Sequence, residues 1–385
     1  MPNAEEENGE SFQAFRHCSF ASTFREKLFQ ILICGRGRLP TTNSCNRSEL
    51  LSKSDRISLS DLLEVDEWEE QLFSDGIRDV IRRVESGEKK AVEDVRELAK
   101  DNMEIRDMFG EMGVIPMLIS MVGYSGEITH QMNVLYALLN VGVGHEMNKA
   151  AIANTGAIDI LVNLLSATPL TSKLSEAIIA NLLSLSALDA NKPILVLSEV
   201  IPILAAFISS PNTTSICKQD SIRTLLNLSH IPINTHLTHL IPTFVGLISE
   251  PDINEYALSI LCNLVSTAEG KVMVTQHLDV LIDVLNWVHE PLCQEKAVYI
   301  LMVIALEMNY IGKAKMVDAG IRSTLLELML VGTNFAENCA TKLLETLTVD
   351  KEKELPVLKS LLELSLKENM RKNVKRANLK HVDVS

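Results

Sequence analysis

GVIPMLISMV, residues 113–122, returns five times in altered form: GAIDILVNLL from Gly156, EVIPILAAFI from Glu199, HLIPTFVGLI from His239, HLDVLIDVLN from His277 and GIRSTLLELM from Gly320. The steps between these starts are 43, 43, 40, 38 and 43 residues. A period of about 40 residues with a purely helical pattern marks a stacked helical solenoid, in which each unit buries its apolar face only against its neighbours. The expected fold is therefore all-α, a right-handed α-solenoid of about six to seven repeats.

Each period reads as a short helix before the anchor phrase, a second helix on it, and a third helix ending in a leucine-rich phrase. Those third phrases are VLYALLNVG (134–142), IIANLLSLS (178–186), SIRTLLNLS (221–229), ALSILCNLV (257–265), AVYILMVIA (297–305) and CATKLLETL (339–347). Pro116, Pro202 and Pro242 fall in the first turn of the second helix, where a missing N–H does no harm. Gly113, Gly156 and Gly320 supply the sharp turn before it.

The whole chain has the composition of such a stack. It is 46% hydrophobic but only 4% aromatic, so aliphatic side chains do the packing, unlike a sheet protein rich in aromatic and β-branched residues. Its seven cysteines are scattered and form no C-x-x-C pair, which suggests neither a disulfide framework nor a zinc ribbon. Cys262 and Cys339 lie inside apolar helical runs and read as small core fillers. No apolar run approaches the roughly 18 residues of a membrane span, and the first residues carry Glu5, Glu6, Glu7 and Glu10 where a signal peptide needs a basic region. The expected setting is cytoplasmic, nuclear or both, and the expected state is a monomer.

Charge is unevenly spread. Of the net −14, residues 1–74 carry −5, residues 75–354 carry −13 and residues 355–385 carry +4. An acidic body without a basic stripe disfavours nucleic acid as a partner. Residues 1–60 read as a mostly disordered segment, broken by one short amphipathic helix over 23–34. Residues 61–74 read as an acidic leading or capping helix, 75–354 as the repeats, and 355–385 as a C-terminal helix with a basic tail.

Three short helices per period, the run Asn148, Lys149 and Ile152 before an anchor, and the phrase Gly156, Ile158 and Leu161 together resemble the armadillo repeat over about 75–350. Within that span, RELAKDNMEIRDMFGEMGVIPMLISMV at 96–122 is similar to the armadillo regions of plant U-box-type proteins. The resemblance implies a protein-interaction scaffold or adaptor without cofactor or metal. A ubiquitin-pathway substrate receptor is the alternative, and an import receptor a weaker one. The C-P-I and D-P-V phrases that the family implies for the U-box itself do not occur in residues 1–74.

In that family the third helices line the concave face, and its peptide receptors clamp an extended peptide with a ladder of asparagines. The matching positions are Glu97, Asn140, Ser184, Asn227, Asn263, Val303 and Glu345. Import receptors place a tryptophan one turn earlier, where this chain has Tyr136, Ala180, Arg223, Ser259 and Tyr299. The resemblance thus marks Glu97, Tyr136, Asn140, Ser184, Arg223, Asn227, Ser259, Asn263 and Tyr299 as the binding groove, with Arg223 unfavourable to a basic peptide in mid-groove.

Eight residues before the ladder runs an acidic column: Glu176, Gln219, Glu255, Glu295 and Glu337. It suits a basic partner, but Asp252 and Asn334 stand three residues before Glu255 and Glu337, the spacing of helix-capping pairs, and capping is the expectation. The basic residues Lys367, Arg371, Lys372, Lys375, Arg376 and Lys380 read as the solvated face of a helical extension, with a nuclear signal or an intramolecular partner for the acidic body as alternatives. His236 and His239 share a face without the ligands that would complete a metal site. No hydrolase, metalloprotease or kinase phrase occurs, so the expectation is a protein that is not an enzyme.

Overall fold

The computed structural model describes residues 73–124, 127–230, 235–308 and 310–348. The N-terminal segment 1–60, the tail 355–385 and all but the last two residues of the leading helix lie outside the described residues. Every regular element among the described residues is helical, and they group into two compact units, one ending at Ile160 and one beginning at Leu161.

The first unit holds helices 73–85, Lys89–Asp101, Met103–Glu111, Val114–Tyr124, Ile128–Gly142 and Glu146–Asn154. Helix Ala157–Ala167 carries the boundary. In the second unit, second and third helices alternate as Val200–Ser209 with Ser215–Ser229, Ile241–Leu247 with Asn254–Leu264, Leu278–Val284 with Pro291–Glu307 and Ile321–Val331 with Asn334–Thr348, after a leading third helix Lys173–Ser186. Within each unit, second helices pack on the third helices that follow them, and successive third helices pack on one another. The three-helix period legible in the sequence is the period of the structure.

The anchor phrases are core. Val114, Ile115, Leu118, Ile119 and Val122 are all buried, and so are Val200, Ile201, Leu204, Ala205 and Ile208 at the same offsets. Those offsets make one wide helical stripe, so a phrase that repeats in sequence repeats as a buried face. Gly113, Gly156 and Gly320 have φ of 78°, 80° and 83°, the left-handed region that a Cβ disfavours. Glu199 replaces the glycine with φ −73°, because a different entry, the helix Lys192–Leu197 and its short connection, brings the chain in without a left-handed residue.

Helix ends that abut within a repeat carry carbonyls that need donors. A recurrent side chain supplies them. Gln131 Nε2 donates to Val122 O at 2.9 Å and Gln294 Nε2 to Leu285 O at 2.7 Å, each nine residues before its ladder position and each buried. Ser175, in the same column, donates to Pro169 O at 2.9 Å. Asn148 Nδ2 donates to Val141 O at 3.0 Å and to Arg106 O at 2.7 Å, and Asn191 Nδ2 to Leu185 O at 3.3 Å.

Cys217, Cys293 and Cys339 are buried and Cys262 is half-buried. Burial pushes the Cys262 thiol up to about 12 and the Cys293 thiol up to about 11. Since the thiolate is the nucleophile, both should stay unalkylated by iodoacetamide at pH 7.5 in the native protein and react promptly in urea. Peptide mass mapping reads the outcome, and native labelling at the denatured rate would refute it.

Candidate partner-binding surface

The expected groove residues fall on third helices of both units. In the first, Glu97 is exposed on Lys89–Asp101, while Tyr136 and Asn140 are half-buried on Ile128–Gly142. The Arg96 guanidinium lies 4.8 Å from the Tyr136 ring centroid. Arg96 Nη1 also donates to Asn133 Oδ1 at 2.9 Å, and Asn133 Nδ2 to Glu93 Oε1 at 3.0 Å. Tyr136 is therefore already stacked on a cation of its own chain, an arrangement worth about 0.5–1 kcal/mol at an exposed site. Asn140 Nδ2 donates to Arg96 O at 2.8 Å, on the neighbouring third helix.

The second unit repeats that use of asparagine. Asn227 Nδ2 donates to Ser186 Oγ at 2.9 Å, and Asn263 Nδ2 to Ser229 Oγ at 2.7 Å. Each serine hydroxyl passes its own proton back to its helix, Ser186 to Leu183 O at 2.8 Å and Ser229 to Leu226 O at 2.7 Å. Ladder asparagine, terminal serine and helix carbonyl thus form a relay across each junction. Sequence reasoning missed the serines, although they end the phrases IIANLLSLS and SIRTLLNLS in one register.

Ser184 is half-buried on Lys173–Ser186. Arg223 is exposed and pairs with Asp220 at 3.3 Å, one turn earlier on its own helix. Burial raises the Asp220 carboxyl, and the guanidinium opposes that rise.

Ser259, Asn263 and Tyr299 come together. They line a pocket of about 360 Å³ whose other walls include Leu226, Cys262 and Phe335. His230, Glu295 and Lys296 add its titratable groups. The Tyr299 and Phe335 rings stand 6.3 Å apart at 35°. Phe335 is 50% exposed. In the same column Cys217, Ile253 and Cys293 are buried, so the sequence signal was only a change of size.

The acidic column, expected to be a set of capping pairs, is not one. Helix Asn254–Leu264 starts beyond Asp252, and Asn254 Oδ1 accepts the Glu255 N–H at 2.6 Å. The last third helix is capped by Thr333, whose Oγ1 accepts the Ala336 N–H at 3.2 Å. The carboxylates serve other partners: Glu176 accepts from Lys173 at 3.0 Å, Glu255 from Lys296 of the next repeat at 3.1 Å, and Glu295 from the Thr333 hydroxyl. Sequence spacing could not foresee this, because the helix starts shift by a residue or two between repeats. Among the described residues no group of three or more histidine, cysteine or acidic side chains is placed to hold a metal ion, and no single helix is long and apolar enough to cross a membrane.

A solved structure titled for the phosphorylation switch that controls the interaction between cadherin and beta-catenin matches 70% of this chain and 53% of its own, with a TM-score of 0.62 at 18% identity. The fold is the armadillo fold. An engineered protein from structural genomics gives a TM-score of 0.53 at 18% identity, over 70% of this chain and 78% of its own. No protein-family model matches the chain. In sequence, the armadillo helices are similar to two Arabidopsis thaliana proteins. U-box domain-containing protein 7 is 29% identical over 191 residues, 47% of this chain and 24% of that protein. U-box domain-containing protein 45 is 27% identical over 267 residues, 66% of this chain and 34% of that protein. The chain thus spans only a quarter to a third of these relatives' length.

Proposed function

We propose that the chain is a non-enzymatic protein-interaction scaffold or adaptor, and that a partner segment lies along the third-helix face of its second unit. The observation that carries this reading is the pocket of about 360 Å³ at Ser259, Asn263 and Tyr299. It combines an aromatic wall with amide and hydroxyl groups, the mixture by which an anchoring side chain is buried and its backbone held.

The test compares proteins captured by the wild type with those captured by Arg223→Glu plus Asn227→Ala. Arg223 is exposed, and Asn227 donates to Ser186; removing that bond costs about 1 kcal/mol, so the variant should stay folded. Groove-dependent partners should fall at least tenfold on quantitative mass spectrometry. Identical profiles would remove the groove from consideration.

The similarity to U-box domain-containing proteins favours a second reading, a ubiquitin-pathway substrate receptor. Ubiquitin conjugates formed by the purified chain with only E1 and E2 would favour an enzyme over the scaffold.

A further inference from the structure

The carboxylates of the acidic column are not equally occupied. Glu255 is matched by Lys296, whereas Glu295 receives only the neutral Thr333 hydroxyl, and among the described residues no ion pair engages it. Glu295 stands one turn before Tyr299 on the same helix face and lines the pocket that Tyr299 and Phe335 share. A carboxylate without a cation, beside two aromatic side chains in a largely apolar pocket, fits a long-stemmed cation: the methylenes lie on the rings and the head meets the carboxylate. Neither nearby cation opposes such a guest. Lys296 is balanced by Glu255 at 3.1 Å, and Arg223, balanced by Asp220 at 3.3 Å, sits two repeats earlier.

We propose that this pocket holds a lysine side chain from the chain's own basic segment, residues 367–380. Charge complementarity selects that occupant. KENMRKNVKRANLK carries six cations against one acid, and residues 75–354 carry a net −13. Chain length permits it as well. Eighteen residues separate Thr348 from Lys367, a reach of about 60 Å when extended. The helix between Phe335 and Thr348 is only about 20 Å long. A tether of this kind presents the segment at about millimolar effective concentration, enough to fill a site of modest affinity. The proposal rests on the groove reading above and adds its regulation: the tail occupies the end of the surface that a partner must use.

Carbodiimide joins a lysine amine to a carboxylate only where the two are in contact, and so reads the docking in the full-length chain. At low ionic strength, peptide mapping of the monomer band should show Glu295 linked to a lysine of 367–380. The yield should fall about fivefold or more in about 0.5 M salt, as screening requires, and likewise in Tyr299→Ala or Phe335→Ala, variants that keep Glu295 and whose folding circular dichroism checks. Glu295 left unlinked while tail lysines join other carboxylates, or links found only between molecules, would overturn the docking. So would undiminished links in both ring variants. A full-length chain with Arg371→Glu, Lys372→Glu, Lys375→Glu and Arg376→Glu should lose the Glu295 link, and a link that persists in it would overturn the docking. If the link forms but groove substitutions leave captured proteins unchanged, the function reading fails alone. If no link forms yet capture depends on the groove, only the docking fails.

Discussion

Gly270→Ala should destabilise the second unit by about 3 kcal/mol, through overpacking and the loss of a helix cap. Helix Ala268–Val274 starts directly beneath the end of the third helix Asn254–Leu264. A Cβ on Gly270 would lie 2.0 Å from the Leu264 carbonyl oxygen and 2.7 Å from its carbon. Leu264 is fully buried, so the obstacle is fixed backbone. Relief would require pulling the helix start away. That movement strains Thr267, whose Oγ1 accepts the Gly270 N–H at 3.0 Å and donates to Leu264 O at 2.8 Å. Urea unfolding followed by circular dichroism provides the measurement. Gly246→Ala is the control: it also lies in a short helix, but a Cβ there meets nothing within 4 Å. It should be neutral or stabilising by about 0.5 kcal/mol. Equal midpoints for the two variants would refute the steric account.

Asn148→Ala should cost the first unit about 3 kcal/mol, since removing a buried donor leaves its acceptors unsatisfied at about 1–3 kcal/mol each. Asn148 is 4% exposed, and its amide serves the carbonyls of both Arg106 and Val141. Gly110 leaves Asn148 the room it needs: a Cβ there would come within 2.0 Å of Asn148 Oδ1. Water entering the cavity would recover part of the loss, but the Val141 bond is buried. Hydrogen exchange should show faster opening of Ile128–Gly142 and Met103–Glu111. A loss below about 1 kcal/mol would mean that the amide is replaceable.

The fold was legible because a stack repeats its core. The anchor phrases, the prolines in first turns and the left-handed glycines each followed from spacing and backbone chemistry alone. The run Asn148, Lys149 and Ile152 was legible as resemblance, but the donation from Asn148 to the carbonyls of Arg106 and Val141 emerged only from the structure. The surface was harder to read. Ser259, Asn263 and Tyr299 could be placed in register, yet Phe335, which completes their pocket, comes from the first turn of the next repeat's third helix. Arg96 could not be foreseen over Tyr136, because a long side chain reaches across repeats and leaves no periodic trace. Capping failed as an explanation of Glu255 and Glu337 for a related reason: it depends on where a helix begins, the least periodic property of these repeats.

The relays from Asn227 and Asn263 to Ser186 and Ser229 give the surface a mechanical character. An amide that holds neighbouring helices with one hydrogen has its orientation set by the spacing of the stack. A guest that engages the same side chain must therefore work against, or with, a spring. Substituting such an asparagine changes the spring constant together with the contact. Affinity measured at these positions will then contain an elastic part, separable by asking whether the same substitution alters hydrogen exchange with no guest present.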